Sequence, residues 1–228
     1  MKKTLFILLI SAVFSFPTMA QLDSAKVFVE AKVAVGTEGY LPQWIGYNQY
    51  GLLNPNENDG YLRGSATLPL LTKGRFSAEV GLDAVLKPQD FDNSFVNLAY
   101  GKLKYGAFTL QGGRYLMSEN GFDHQLSSGN MFRSINTRPY WGGGFGIYQY
   151  TDLPFTDGYV QVKGNMEVGL LEDDRPTQDA LYHEKSAYIK SNKLPINLII
   201  GLNHNVLFGG TGPNGNELPG DFLEAFFA

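Results

Sequence analysis

The chain has 228 residues, no cysteine, and 18 Lys and Arg against 22 Asp and Glu, a formal net charge of −4. Without cysteine there is no disulfide framework, no thiolate nucleophile and no Cys-ligated zinc. The acidic balance, with a pI near 5.4, argues against nucleic acid as the main partner. A mean hydropathy of −0.16 and the lack of any apolar run of about 18 residues exclude a helical membrane protein. Its 27 glycines, 13 tyrosines and 16 phenylalanines, with only 18% charged residues, are instead the composition of a transmembrane β-barrel.

The first twenty residues read as an export signal. Lys2 and Lys3 form a positive start, and residues 5–16 (LFILLISAVFSF) are an apolar run ended by Pro17. Thr18-Met19-Ala20 is a small-x-small cleavage site. The run is short for a spanning helix, so a cleaved secretory signal fits better than an N-terminal anchor. Cleavage after Ala20 removes two lysines and no acid, which takes the net charge to 16 − 22 = −6.

From residue 21 onward the pattern is that of paired strands. Residues 26–35 (KVFVEAKVAV) put Val27, Val29, Ala31, Val33 and Val35 on one face, the period-two alternation of a strand. Residues 75–86 repeat it, with Phe76, Ala78, Val80, Leu82, Ala84 and Leu86 opposite Ser77, Glu79, Gly81 and Asp83. Further strands are predicted over 61–70, 95–105, 108–117, 145–151, 159–171, 181–191 and 196–208. Several reach ten residues, the length a tilted strand needs to cross a bilayer, against a globular mean of ~5–6. Residues 142–144 (GGG) read as flexible loop, since glycine allows unusual backbone angles. A short helix starting at Asp221 is expected over the last residues, DFLEAFFA.

The connections alternate. Those near 71–74, 106–107, 152–157 and 192–195 are short; those at 36–60, 87–94, 118–144 and 172–180 are longer. Outer-membrane barrels have long extracellular loops and short periplasmic turns. The alternation holds for nine strands if 44–53 is loop, and shifts if that piece is a tenth strand. Barrels of this class have even strand numbers, so nine means either a miscounted strand or one half of a longer protein. The second is our expectation. The fold class is therefore all-β: a transmembrane antiparallel β-barrel of the outer-membrane type, partial in this chain, over residues 21–228.

Enzyme motifs fail on their context. Gly210-Thr211-Gly212-Pro213-Asn214-Gly215 fits G-x-G-x-x-G, but no helix or βαβ unit follows. His183-Glu184 is not H-E-x-x-H, because position 187 is Ala, and no G-x-S-x-G elbow occurs. Residues 54–60 (NPNENDG) miss the EF-hand spacing, with Gly seventh and no Glu twelfth; a calcium site of another kind stays open. His204 shares a face with Ile200 and Leu202 and reads as structural. Glu79 and Asp83 read as a solvated lumen wall. No cofactor or metal is expected, and no catalytic residue is assigned.

Three stretches resemble a known family. Leu41-Pro42-Gln43-Trp44-Ile45 through Asn48-Gln49-Tyr50-Gly51 is similar to an LPxWxxxNQxG stretch of Wzi-type capsule assembly proteins of Bacteroidetes. Residues 181–190 (LYHEKSAYIK) resemble their LHxKSxYxR/K strand. Gly201-Leu202-Asn203-His204 with 208–215 (FGGTGPNG) is similar to their GLxHxxxWGG element, with Phe208 where the family has Trp. The order agrees, and the resemblance covers most of residues 40–222. It implies an outer-membrane barrel of about eighteen strands that attaches capsular polysaccharide to the cell surface as a lectin, of which nine strands are half.

Sugar recognition uses aromatic faces against C–H faces and a few polar groups to bond hydroxyls. The expected polysaccharide-binding residues lie in the long loops: Trp44 and Tyr47 in the first, and Arg133, Arg138, Tyr140 and Trp141 in the third. Arginines suit the carboxylates of an acidic polysaccharide. Trp and Tyr also anchor barrels at membrane interfaces, so each aromatic has a competing role. The expected partners are surface polysaccharide and outer-membrane lipid. Two other functions remain open: a general porin, and a barrel enzyme acting on lipid or polysaccharide.

Overall fold

The computed structural model describes residues 24–37, 41–42, 45, 50–54, 56–116, 137–171 and 176–227. The expected signal peptide and its cleavage point lie outside them. The described residues form one antiparallel sheet of nine strands in sequence order: β1 Lys26–Ala34, β2 Asp59–Lys73, β3 Phe76–Leu86, β4 Phe95–Tyr105, β5 Phe108–Arg114, β6 Trp141–Asp152, β7 Val160–Leu170, β8 Leu181–Ser191 and β9 Ile199–Phe208. Every strand pairs with its neighbours in sequence. The sheet is not closed: β1 and β9 are its two edges. A helix, α1 (Phe222–Phe227), follows β9.

A simple meander puts alternate connections on opposite rims, so the short turns share one rim and the long connections the other. Two of the short turns have two residues with glycine first, Gly74 at φ 60° and Gly106 at φ 59°. Hairpin turns matched to strand twist need that positive φ.

The register sorts side chains to two faces. One face carries Val27, Val29 and Val33 of β1, Leu62 of β2, Val80 and Leu86 of β3, Leu103 of β4, Leu110 of β5, Phe145 of β6, Met166 of β7, Ile189 of β8, and Ile200 and Leu202 of β9. All are exposed, Val29 at 77% and Leu202 at 80%. The other face carries Arg63, Asp83, Lys102, Gln111, Asn165, Glu167 and Glu184, and the last two are fully buried. Apart from the first connection, no second layer covers this polar face among the described residues. Side chains that bury one another without a cover require the sheet to curl toward them. The polar face is therefore concave and the apolar face convex, the reverse of a water-soluble sheet.

Two small apolar clusters close the concave side near the long-connection rim. Leu41, Leu52 and Leu53 from the first connection pack on Ala34, Tyr61 and Val85. Tyr115, Tyr140, Leu171, Ala180 and Tyr182 form the second cluster.

One expectation is corrected. Residues 142–144 are not loop: β6 begins at Trp141. Gly142, Gly143 and Gly144 pair with Gly113, Gly112 and Gln111 on one side, and with Gly169, Val168 and Glu167 on the other. A Cβ on Gly144 would lie 2.4 Å from the Tyr148 hydroxyl and 2.8 Å from that of Tyr115. The missing side chain makes room for those inward tyrosines. Ladder bonds on both sides outweigh the entropy glycine loses in a strand.

Candidate functional site

The concave wall divides along its height. Near the long connections, its charges are paired. The Arg63 guanidinium on β2 donates through Nε to both Asp83 oxygens, at 3.1 and 2.9 Å, and lies 3.7 Å from Glu30 on β1. The buried Lys87 ammonium pairs with Asp59 and donates to the Leu52 carbonyl at 2.7 Å. Asp59 also accepts from the Asn54 and Gly60 backbone N–H groups. Removing one member of such a buried pair strands the other charge, at a cost of about 3–5 kcal/mol.

At mid-height the register sets Glu167 opposite Glu184. The Tyr182 hydroxyl donates to Glu184 at 2.8 Å and also lies against the Asn205 amide oxygen. Ser186 donates to Asn165 at 2.7 Å. Among the described residues, no three His, Cys, Asp or Glu side chains come together as a metal site. The suspected calcium loop turns its polar groups on itself: Asn54 Nδ2 donates to Glu57 at 2.5 Å, and Asp59 is taken by Lys87.

Toward the short turns lies a cleft of about 560 Å³, within the usual size range of small-ligand sites. Its floor is built of cross-strand rows. Ser77, Lys104 and Thr109 form the first, and Glu79, Lys102 and Gln111 the second. Gly81, Tyr100 and Gly113 continue the wall beyond them. The Tyr100 ring lies flat across Gly81, whose Cβ would fall 2.3 Å from the ring. Lys102 pairs with Glu79 at 2.9 Å and sits 5.3 Å from the Tyr100 ring centre. Across β6–β8 the pattern recurs. Tyr188 lies flat over Gly201, while Lys163 and Lys190 lie over the Tyr150 ring at 5.9 and 5.2 Å.

The sequence-predicted binding residues do not converge. Trp44, Tyr47 and Arg133 lie outside the described residues. Arg138 stacks 3.8 Å above the Phe95 ring and lines a cavity of about 320 Å³ with Asn54, Glu57 and Lys87 at the long-connection rim. Tyr140 is buried against Tyr182, its ring edge-on at 5.9 Å. Trp141 heads β6 on the convex face and is half-exposed. Alternation reverses facing between successive residues, so Tyr140 and Trp141 cannot grip one ligand together.

Sequence reasoning missed the lysine–tyrosine rows and the Glu167–Glu184 pair. Their alternation was readable on each strand, as in Lys163, Asn165 and Glu167. Their neighbours across strands depend on register, which one strand does not carry.

The convex face carries a polar group near its β9 edge. His183 and Lys185 on β8 and His204 on β9 share it, with the histidine rings 6.3 Å apart. Helix α1 lies over them. Phe222 and Phe226 meet the His183 ring at 5.6 and 5.4 Å, and Lys185 donates to the Phe226 carbonyl.

No family model matches the chain, and comparison with characterised proteins finds no match.

Proposed function

We propose that this sheet is one wall of an outer-membrane β-barrel, and that the protein holds a capsular or related surface polysaccharide at the cell surface without catalysing a reaction. The observation that carries the membrane part is the inverted sheet: exposed aliphatic residues on the convex face and buried charges on the concave one. Between the rims, β1 to β7 place one charged residue on the convex side, Arg114 at the end of β5, in register with Trp141 and largely buried. In water such a face would be an aggregation surface; in lipid it is the expected wall. Exposed aromatics at both rims support the same reading: Phe91 and Trp141 at one, Tyr105, Phe108 and Tyr159 at the other. Barrels carry such girdles at their two interfaces, and Trp141 takes that anchoring role here.

The polysaccharide part rests on the resemblance to Wzi-type capsule assembly proteins. Two of its stretches fall on β8 and β9, which pair in register with Lys185 opposite His204. The concave wall supplies the chemistry a glycan needs, with a tyrosine, amides, hydroxyls and lysines lining one cleft. Arg138 remains the loop-side candidate, since it faces a cavity at the long-connection rim.

The test is deletion and complementation in the native Gram-negative host. The full-length protein should fractionate with the outer membrane, and its loss should release polysaccharide from cells into the medium. Folded protein in the soluble fraction would refute the membrane reading. Unchanged polysaccharide retention, together with large single-channel conductance in planar bilayers, would replace the attachment role with that of a porin.

A further inference from the structure

The cleft near the short turns carries more cation than its carboxylate offsets. Glu79 is satisfied by Lys102 at 2.9 Å. Lys104, two residues further along β4 on the same face, has hydroxyl neighbours on both sides in register, Ser77 and Thr109. Among the described residues no carboxylate lies within ion-pair distance of Lys104. Lys190, on the second tyrosine patch, is in the same position: its described neighbour is the Tyr150 ring at 5.2 Å. The same stretch of wall holds two tyrosine rings lying over glycines: Tyr100 over Gly81, two rows beyond Lys104, and Tyr188 over Gly201, two residues from Lys190. A carboxylate is the ligand group such a lysine lacks, and charge-assisted hydrogen bonds are the stronger kind. A tyrosine ring further along the same wall suits the C–H face of a sugar.

We infer that the short-turn half of the concave wall is a binding track for an acidic glycan, with Lys104 and Lys190 holding carboxylates of separate sugar residues. This rests on the polysaccharide reading above and gives it a chemical class and a place, lower in the wall than the long-connection loops. The flattened tyrosines supply the platforms. Gln111 and Thr109, both buried on the cleft floor, are placed to bond hydroxyls.

The experiment uses the full-length protein in detergent and two probes, trigalacturonate and its carboxyl-reduced neutral counterpart, with binding read by calorimetry. Trigalacturonate should bind at least about tenfold more tightly than the neutral trimer, the scale of one charge-assisted hydrogen bond. Lys104→Gln and Lys190→Gln should each weaken trigalacturonate binding about tenfold and leave the neutral trimer unaffected. Lys104→Arg should retain binding, and heat-modifiable gel migration should confirm that each variant assembles. Equal binding of the two probes, no binding of trigalacturonate, or parental affinity in both glutamine variants would overturn the inference. Those failures are separable from failure of the attachment role. If cells lacking the protein still shed polysaccharide, attachment stands and only the acidic track falls.

Discussion

The two faces of this sheet invert the usual arrangement, and they do it with different kinds of residue. The convex face is held by nothing within the described chain over most of its area: Val29, Val33, Ile200 and Leu202 are each more than 70% exposed. The concave face holds itself together with ion pairs and amide contacts, and Asp83, Glu167 and Glu184 are at most 2% exposed. One face is left uncovered among the described residues; the other makes its own polar interior. Hence the same substitution should have unequal costs on the two faces.

The largest effect is expected where the concave face is most committed. Lys87→Met leaves Asp59 buried without its cation, and the full-length protein should lose about 3–5 kcal/mol in urea unfolding from lipid vesicles. If the loss is under about 1 kcal/mol, the pair is solvated and the concave face is not the dry interior described here. Next comes the convex face. Val80→Arg places a cation near the middle of β3 on the apolar side and should cost about 2–4 kcal/mol if that side meets lipid. Thr67→Arg, nearby on the polar side, should cost much less. Equal costs in the same unfolding assay would erase the distinction between the faces.

Smaller effects sharpen the picture. Gly144→Val drives a branched side chain into the Tyr148 and Tyr115 hydroxyls and the Glu167 stem, with an expected loss of about 1–3 kcal/mol. A neutral result there would mean that the inward tyrosines are loosely placed. The least costly change concerns α1. The Asp221 carboxylate caps this helix, accepting from the Leu223 and Glu224 N–H groups at 2.8 and 3.2 Å. Asp221→Ala should weaken the helix by about 1 kcal/mol. Hydrogen exchange should quicken over residues 222–227 and leave β8 and β9 unchanged. That outcome would separate the one covered part of the convex face from the rest.

What the sequence carries and what it withholds follow from period and register. Period-two alternation is a property of a single strand, so β1, β3, β4 and β8 are readable at their observed positions, with Glu79 and Asp83 on the polar side. The cap at Asp221 is equally local and equally readable. The start of β6 is not. The three glycines after Trp141 have poor strand propensity, and the ladders to β5 and β7 hold them extended. The cleft is hidden for the same reason: Ser77, Lys104 and Thr109 are neighbours in space through two registers. Loop composition pointed to Arg138, Tyr140 and Trp141 as one grip, yet facing separates them once β6 is known to begin at Trp141. The polar trio of His183, Lys185 and His204 was visible as a face on each strand, and its cover, α1, becomes clear only when the chain folds back.

The most direct test of the inverted sheet uses the absence of cysteine. Single cysteines can be introduced at successive positions from 76 to 84 on β3 of the full-length protein, labelled with a small fluorophore and reconstituted in vesicles. Quenching by brominated acyl chains should be strong at 76, 78, 80, 82 and 84 and weak at 77, 79, 81 and 83, with a water-soluble quencher giving the opposite pattern. Uniform quenching along the strand, or water access at Val80 and Leu82, would contradict a lipid-facing convex wall.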